Sequence, residues 1–79
     1  MTLDKLDIGH AAVIVKLKGK SALRRRLLEM GFTPGTIVAV AKTAPLGDPI
    51  ELCLRGYKIA MRRADARNIE VAECVGQDI

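Results

Sequence analysis

The sequence predicts a small, mainly β protein, a closed or half-closed barrel of about five short strands with one short helix. Two observations indicate this class. Short β-branched or alternating apolar segments recur between glycine and proline clusters, and only one segment repeats its leucines at helical spacing. Because 79 residues allow only one small core, we expect a single domain over residues 1–79, with its core at about 3–73 and a frayed tail at 74–79.

The chain begins with a predicted lead-in turn and a strand. Residues 2–9 place three apolar side chains among acidic residues and end at a glycine, which is typical of a turn. The following segment, AAVIVKL (11–17), is rich in β-branched side chains and too short for a typical helix. It therefore predicts the first strand.

Residues 21–30 form the predicted helix. Ser21 is a suitable N-cap, and three apolar residues at i, i+4 and i+7 line one stripe. Gly31 stands where a left-handed C′ residue is expected, and Phe32 can fold back on Leu27 as a Schellman motif requires. Packing of the apolar stripe must hold a helix this short.

The second half of the chain alternates turns with strands. Residues 33–36 (TPGT) predict a turn, and residues 36–43 (TIVAVAKT) are apolar on both faces in their middle, as in a central strand. The segment 44–49 is dense in proline and glycine and predicts a loop. Residues 64–68 predict a short turn, and residues 69–71 a last strand.

A β-hairpin is predicted around Arg55-Gly56. Apolar and polar residues alternate on both sides of this two-residue turn. In that register Leu54 faces Tyr57, Leu52 faces Ile59, and Ile50 faces Met61. Every apolar pair then falls on one face, so we expect Tyr57 in the core.

No arrangement of residues predicts a catalytic site, a cofactor or a metal centre. The Gly-Lys-Ser at 19–21 lacks the earlier glycine of a phosphate-binding loop. His10 is the lone histidine and has no nearby cysteine in sequence, so we expect no closed transition-metal site. Cys53, on the outer face of its strand, is interpreted as a small, half-covered side chain rather than a reactive thiol. The protein is therefore not expected to be an enzyme.

The chain is predicted to be cytoplasmic and not to insert into a membrane. Its N-terminus lacks the basic and apolar regions of a signal peptide. The longest apolar runs, AAVIV and IVAVA, fall far short of the roughly 20 residues of a transmembrane helix. The two cysteines, Cys53 and Cys74, suit a reducing compartment.

The charge balance indicates an acidic partner. Thirteen Lys and Arg against nine Asp and Glu give a net charge of +4, which suits nucleic acid, anionic lipid or a protein surface. Arg24, Arg25 and Arg26 fan across the solvent side of the predicted helix, where Arg25 can pair with Glu29. Since both aromatic residues are assigned structural roles, no platform is left for stacking bases. Protein docking is therefore favoured over nucleic-acid binding.

Several motifs occur in a specific order along the chain. They are the helix-to-turn RLLEMGFTPG (26–35), the loop PLGDP (45–49), the Arg55-Gly56 hairpin, RRADA (62–66), and an N-terminal Leu3-x-x-Leu6-x-x-Gly9. In this order and spacing they resemble the FeoA family, the small cytosolic component of bacterial ferrous iron transport. The resemblance covers about residues 3–73.

The resemblance implies an SH3-like barrel and a non-enzymatic accessory of iron uptake. The implied partner is FeoB, a membrane permease with a cytosolic GTPase domain, on which this domain would dock and which it would modulate. Since the sequence itself holds no DNA-binding or metal-sensing domain, we expect the stand-alone form. Transition-metal binding is commonly ascribed to the family, but no ligand motif can be placed on this sequence.

For the docking surface we select the helix arginines and the proline-bounded loop. These are Arg24, Arg25, Pro45, Leu46, Gly47, Asp48 and Pro49. The alternative function is a small basic barrel that binds nucleic acid. A third, storage or delivery of ferrous iron by the protein itself, is disfavoured by the lone histidine and the unpaired cysteines. Edge strands of a half-open barrel could also pair between copies, which would give a homo-oligomer.

Overall fold

Five antiparallel strands form one sheet in the computed structural model, which describes residues 1–74. The strands are β1 (Ala11–Leu17), β2 (Ile37–Thr43), β3 (Ile50–Leu54), β4 (Tyr57–Met61) and β5 (Ile69–Glu73). Their order across the sheet is β4-β3-β2-β1-β5, so β2 is central, as its two-sided apolar pattern predicted. The edges are β4 and β5, and pairing of edges between copies stays a prediction.

One hydrophobic core lies inside the curled sheet. Every strand contributes buried side chains, and Leu3, Leu27 and Phe32 add to them from outside the sheet. The strand register shifts at Val15 in β1 and at Ala41 in β2. Bulges of this kind bend a strand and increase its twist. The sheet therefore wraps around its core as a half-open barrel, and the predicted mainly β class is confirmed.

Within residues 1–74, three short helices accompany the sheet. They are a 3-10 helix at Leu3–Lys5, α1 at Ser21–Glu29 and α2 at Arg63–Ala66. The N-cap of α1 is Lys20 and not the predicted Ser21, because Ser21 is already helical. The turn predicted at 64–68 is wrong in its first part, since α2 is helical as far as Ala66. Ala66 is fully buried, so tertiary packing stabilises a helical turn that the local sequence does not indicate.

The C-terminal end of α1 has the predicted Schellman geometry. Gly31 is left-handed, with φ of 103°. The N–H of Phe32 donates to the carbonyl of Leu27, and the N–H of Gly31 donates to the carbonyl of Leu28, both at 3.0 Å. Phe32 is fully buried, which fixes the direction in which the chain leaves the helix.

The β3–β4 hairpin has the predicted register, but one of its side chains was misplaced. Leu54 pairs with Tyr57 across the two-residue turn, and the other apolar pairs follow as expected. Tyr57 is not in the core: it is 43% exposed, and its hydroxyl donates to the carbonyl of Met30 at the end of α1. Tyr57 lies next to the turn, opposite the buried Leu54, and its polar tip finds a hydrogen-bond partner at the end of α1.

The last strand is longer than predicted. β5 continues to Glu73 rather than ending at residue 71. The N–H of Cys74 donates to the carbonyl of Ala11 at 2.9 Å, so Cys74 is hydrogen-bonded to β1 although it lies one residue beyond the end of β5. The rest of the predicted tail, residues 75–79, lies outside the described residues.

Candidate docking surface

The loop between β2 and β3 projects one large apolar side chain into solvent. Leu46 is 97% exposed. Two backbone hydrogen bonds close the loop beneath it, from Gly47 N–H to the Ala44 carbonyl (2.7 Å) and from Ala44 N–H to the Pro49 carbonyl (2.9 Å). Leu46 is thus presented on a hydrogen-bonded support, within the segment that the sequence selected.

Arg63 of α2 fastens this loop to the barrel. Its backbone N–H donates to Oδ1 of Asp48 (3.0 Å), and its guanidinium donates to the carbonyl of Gly47. The guanidinium also donates to the carbonyl of Asp4, in the N-terminal segment, at 2.5 Å. One half-buried side chain therefore joins three segments of the chain. Sequence reasoning missed this role, because the partners lie 16 and 59 positions away and no local spacing indicates them.

A hollow of about 280 Å³ lies at the base of the loop. Pro45 and Pro49 line it from the loop side, and Ile50 and Ala60 from the β3–β4 hairpin. Its lining is mostly apolar. The loop therefore offers a partner a projecting leucine with an apolar depression beside it.

The second selected element is the outer face of α1. Arg24 and Arg25 are both exposed, and the Arg24 guanidinium donates back to the carbonyl of Gly19. The ion pair predicted between Arg25 and Glu29 is not formed: neither residue has an ion-pair partner within residues 1–74. The ion pair on this helix joins Arg26 to Asp65, at 3.4 Å. Arg25 is left free to meet a charge from outside the described chain.

Helix α2 lies between the two selected elements. Asp65 of α2 accepts the ion pair from α1, while Arg63 of α2 bonds to the loop. Neither Arg24 nor Arg25 forms a hydrogen bond or ion pair with the loop among the described residues. The structure therefore connects the predicted elements through α2 without merging them into one patch.

The described residues contain no group of three or more His, Cys, Asp or Glu side chains that could hold a metal ion. Nδ1 of His10 bonds to Oε2 of Glu73, and this hydrogen bond raises the pKa of His10 above its ordinary value. A pair of ligands falls short of the four that a structural zinc site uses.

Cys53 lies opposite Lys58 and is half-buried, as predicted.

Among residues 1–74, no helix has both the length and the apolar character needed to cross a bilayer. This finding agrees with the short apolar runs noted in the sequence.

Comparison with known proteins identifies similar chains. A family model described as the FeoA domain matches residues 1–73. The Fe(2+) transport protein A/Fe(2+) transporter FeoB fusion protein of Porphyromonas gingivalis is 44% identical over 71 residues. The match covers 90% of this chain but only 8% of that protein, so the chain corresponds to a small part of the fusion.

Solved structures agree with the fold. The solution structure of the FeoA protein from Chlorobium tepidum is 37% identical, with a TM-score of 0.88, and the match covers 99% of this chain and 74% of that one. The crystal structure of Stenotrophomonas maltophilia FeoA complexed with zinc, described as a prokaryotic SH3-domain protein, is 29% identical with a TM-score of 0.81. That match covers 91% of this chain and 89% of that one. The half-open barrel is therefore of the SH3-like kind.

Proposed function

Because this chain belongs to the FeoA family, whose model matches residues 1–73, we propose that it is a non-enzymatic accessory of bacterial ferrous iron uptake. In this role it acts in the cytoplasm, docks on the cytosolic face of FeoB and modulates that transporter. The family membership links the chain to ferrous iron transport. The docking and the modulation are the proposal.

The observation that carries the proposal is the fusion of a similar domain to a transporter. In the P. gingivalis protein, a segment 44% identical to this chain is part of the same polypeptide as FeoB. A covalent link holds two domains at an effective concentration of about millimolar, which suits partners that act together. A domain without that link needs a surface that replaces it.

The loop with Leu46 supports such a surface. A leucine 97% exposed gains the most burial when it enters a pocket on a partner. The Arg63 contacts to Gly47 and Asp48 hold the loop before binding, so less conformational entropy is lost on docking. Binding energy in interfaces concentrates in a few such anchors.

The arginines of α1 support a second, electrostatic part of the surface. Arg24 and Arg25 are exposed and form no ion pair within the described residues. Unpaired guanidinium groups attract carboxylate or phosphate groups and fix the orientation of an encounter. In the proposal, the loop supplies the apolar anchor and α1 the steering charge.

A binding titration tests the proposal, first against the soluble GTPase domain of FeoB with and without GTP, and then against the complete transporter. Leu46→Thr is expected to weaken binding about tenfold or more, because an anchor is truncated. Ile37→Thr is the matched control, since Ile37 is 57% exposed on β2, outside the loop and α1. We expect its affinity to equal that of the unmodified protein.

Replacing both Arg24 and Arg25 by Glu is expected to weaken binding to the GTPase domain or to the detergent-solubilised transporter, where no bilayer is present, while unfolding stays cooperative. Unchanged affinity would show that the two arginines are not part of the docking surface, but it would not contradict the docking role. Binding to neither the GTPase domain nor the complete transporter, in either nucleotide state, would overturn the proposed function.

A further inference from the structure

The positive charge of the chain is concentrated in one segment. No Asp or Glu occurs between Asp7 and Glu29, whereas six of the thirteen Lys and Arg lie within residues 16–26. The remaining seven are fewer than the nine acidic residues. The net charge of +4 therefore comes from the end of β1, the connection that follows it, and α1.

On α1, the cations surround an exposed leucine. At about 100° per residue, Leu28 lies roughly 40° from Arg24 on one side and 60° from Arg25 on the other. All three are exposed, with Leu28 at 44%, and Lys20 caps the same helix at its N-terminus. We call these four residues the α1 face. None of its three cations forms an ion pair within residues 1–74.

The α1 face is a convex helix surface, which favours a broad anionic surface over a small ligand as its partner. The hollow at the base of the loop is lined by residues outside α1, and so are two further clefts. The helix sequence SALRRRLLE carries no aromatic side chain on which a base could stack, and the exposed Tyr57 is held by its hydroxyl at the far, C-terminal end of α1. Long cationic side chains beside an exposed leucine match the boundary between lipid phosphates and acyl chains.

We propose that the α1 face (Lys20, Arg24, Arg25 and Leu28) binds the headgroups of an anionic lipid bilayer. This inference rests on the proposed function, which brings the chain to the membrane that surrounds a transporter. The loop with Leu46 then recognises protein, while the α1 face holds the barrel against the adjoining lipid.

The expected strength is modest. Each cation near an anionic surface strengthens binding about fivefold, so three contribute roughly 100-fold. At physiological ionic strength such a contact holds little protein at the membrane by itself, whereas at low salt, where screening is weak, its binding is measurable. It raises the local concentration around the transporter and adds to the affinity of the loop.

Vesicle sedimentation without any transporter tests the inference. The unmodified protein is expected to bind vesicles made of equal parts phosphatidylserine and phosphatidylcholine, and to dissociate from them as the salt concentration rises. It is expected not to bind vesicles of phosphatidylcholine alone. The triple variant Lys20→Gln, Arg24→Gln, Arg25→Gln is expected to bind roughly 100-fold more weakly. Leu28→Gln is expected to weaken binding without a change of charge.

The matched control is a triple variant with the same net charge, Lys5→Gln, Lys58→Gln, Arg62→Gln. These side chains are exposed and lie outside α1. Under the proposal the control keeps most of the vesicle binding. Equal losses in both triple variants would show attraction by net charge alone and would overturn it.

Two other outcomes also overturn the inference. One is no binding to anionic vesicles at low salt. The other is an oligonucleotide that binds more tightly than the vesicles with the same dependence on Lys20, Arg24 and Arg25. The proposed function is judged separately, because the titration against the GTPase domain contains no lipid.

Discussion

Among single residues, His10 and Glu73 form the contact with the clearest dependence on pH. His10 directly precedes β1, and Glu73 is the last residue of β5, so their side chains join the ends of two paired strands. Both are exposed, and their hydrogen bond raises the pKa of His10. A raised pKa means that the folded state favours the protonated imidazole more than the unfolded state does.

The stabilisation from this contact is therefore present at mildly acidic pH and is lost as pH rises through the folded-state pKa of His10. We expect Glu73→Gln to return the pKa of His10 toward its ordinary value, as measured by an NMR titration of the imidazole protons. The unfolding free energies of the variant and the unmodified protein should differ below that pKa and converge above it. Glu70→Gln is the control, and an unchanged His10 pKa in Glu73→Gln would contradict the assignment.

At the scale of elements, features with local determinants could be predicted from the sequence. The end of α1 depends on Gly31 and Phe32, which are adjacent in sequence, and the hairpin register depends on alternation around a two-residue turn. Tyr57 was misplaced because alternation indicates which face a side chain occupies but not how deeply it is buried. Helix α2 was missed because its stability comes from packing against distant segments.

The junction between α1 and the hairpin makes Gly31 more sensitive than another glycine with positive φ. A Cβ at Gly31 would lie 2.7 Å from the hydroxyl of Tyr57, whereas one at Gly35 would meet nothing within 4 Å. Gly35→Ala is expected to cost about 1 kcal/mol of unfolding free energy for its left-handed backbone. Gly31→Ala should cost about 2 kcal/mol or more, because the Tyr57 hydrogen bond is also displaced.

Denaturant unfolding of both glycine variants measures the difference. In a Tyr57→Phe background, which lacks the hydroxyl, the gap between the two variants should narrow. If Gly31→Ala and Gly35→Ala lose equal unfolding free energy in the unmodified background, the close approach of residue 31 to the Tyr57 hydroxyl does not contribute to stability.

At the scale of the whole molecule, the fold class was predictable and the shape of the candidate site was not. The strand count, the central strand and the single core follow from apolar patterning along the chain. The distance between the α1 arginines and the Leu46 loop depends on α2, which joins both through Asp65 and Arg63. Because those contacts link residues far apart in sequence, no local pattern indicates how the two parts of the surface are arranged.

Pairing between distant parts of the chain, here β5 with β1, also determines where the chain can be shortened. Every residue of the described core lies between Leu3 and Val71, and β5 supplies Ile69 and Val71 while it pairs with β1. A chain ending at Cys74 is expected to unfold cooperatively, within about 0.5 kcal/mol of the full chain.

A chain ending at Asn68 is expected not to fold. It lacks two buried side chains worth about 1.5–3 kcal/mol each and leaves β1 as an unpaired edge, a loss comparable to the roughly 5 kcal/mol stability of a small domain. Circular dichroism of the two truncated chains during denaturant unfolding distinguishes these outcomes. A cooperative transition in the chain ending at Asn68 would mean that the barrel does not need β5 to close its core. Loss of the transition in the chain ending at Cys74 would mean that residues 75–79 stabilise the fold.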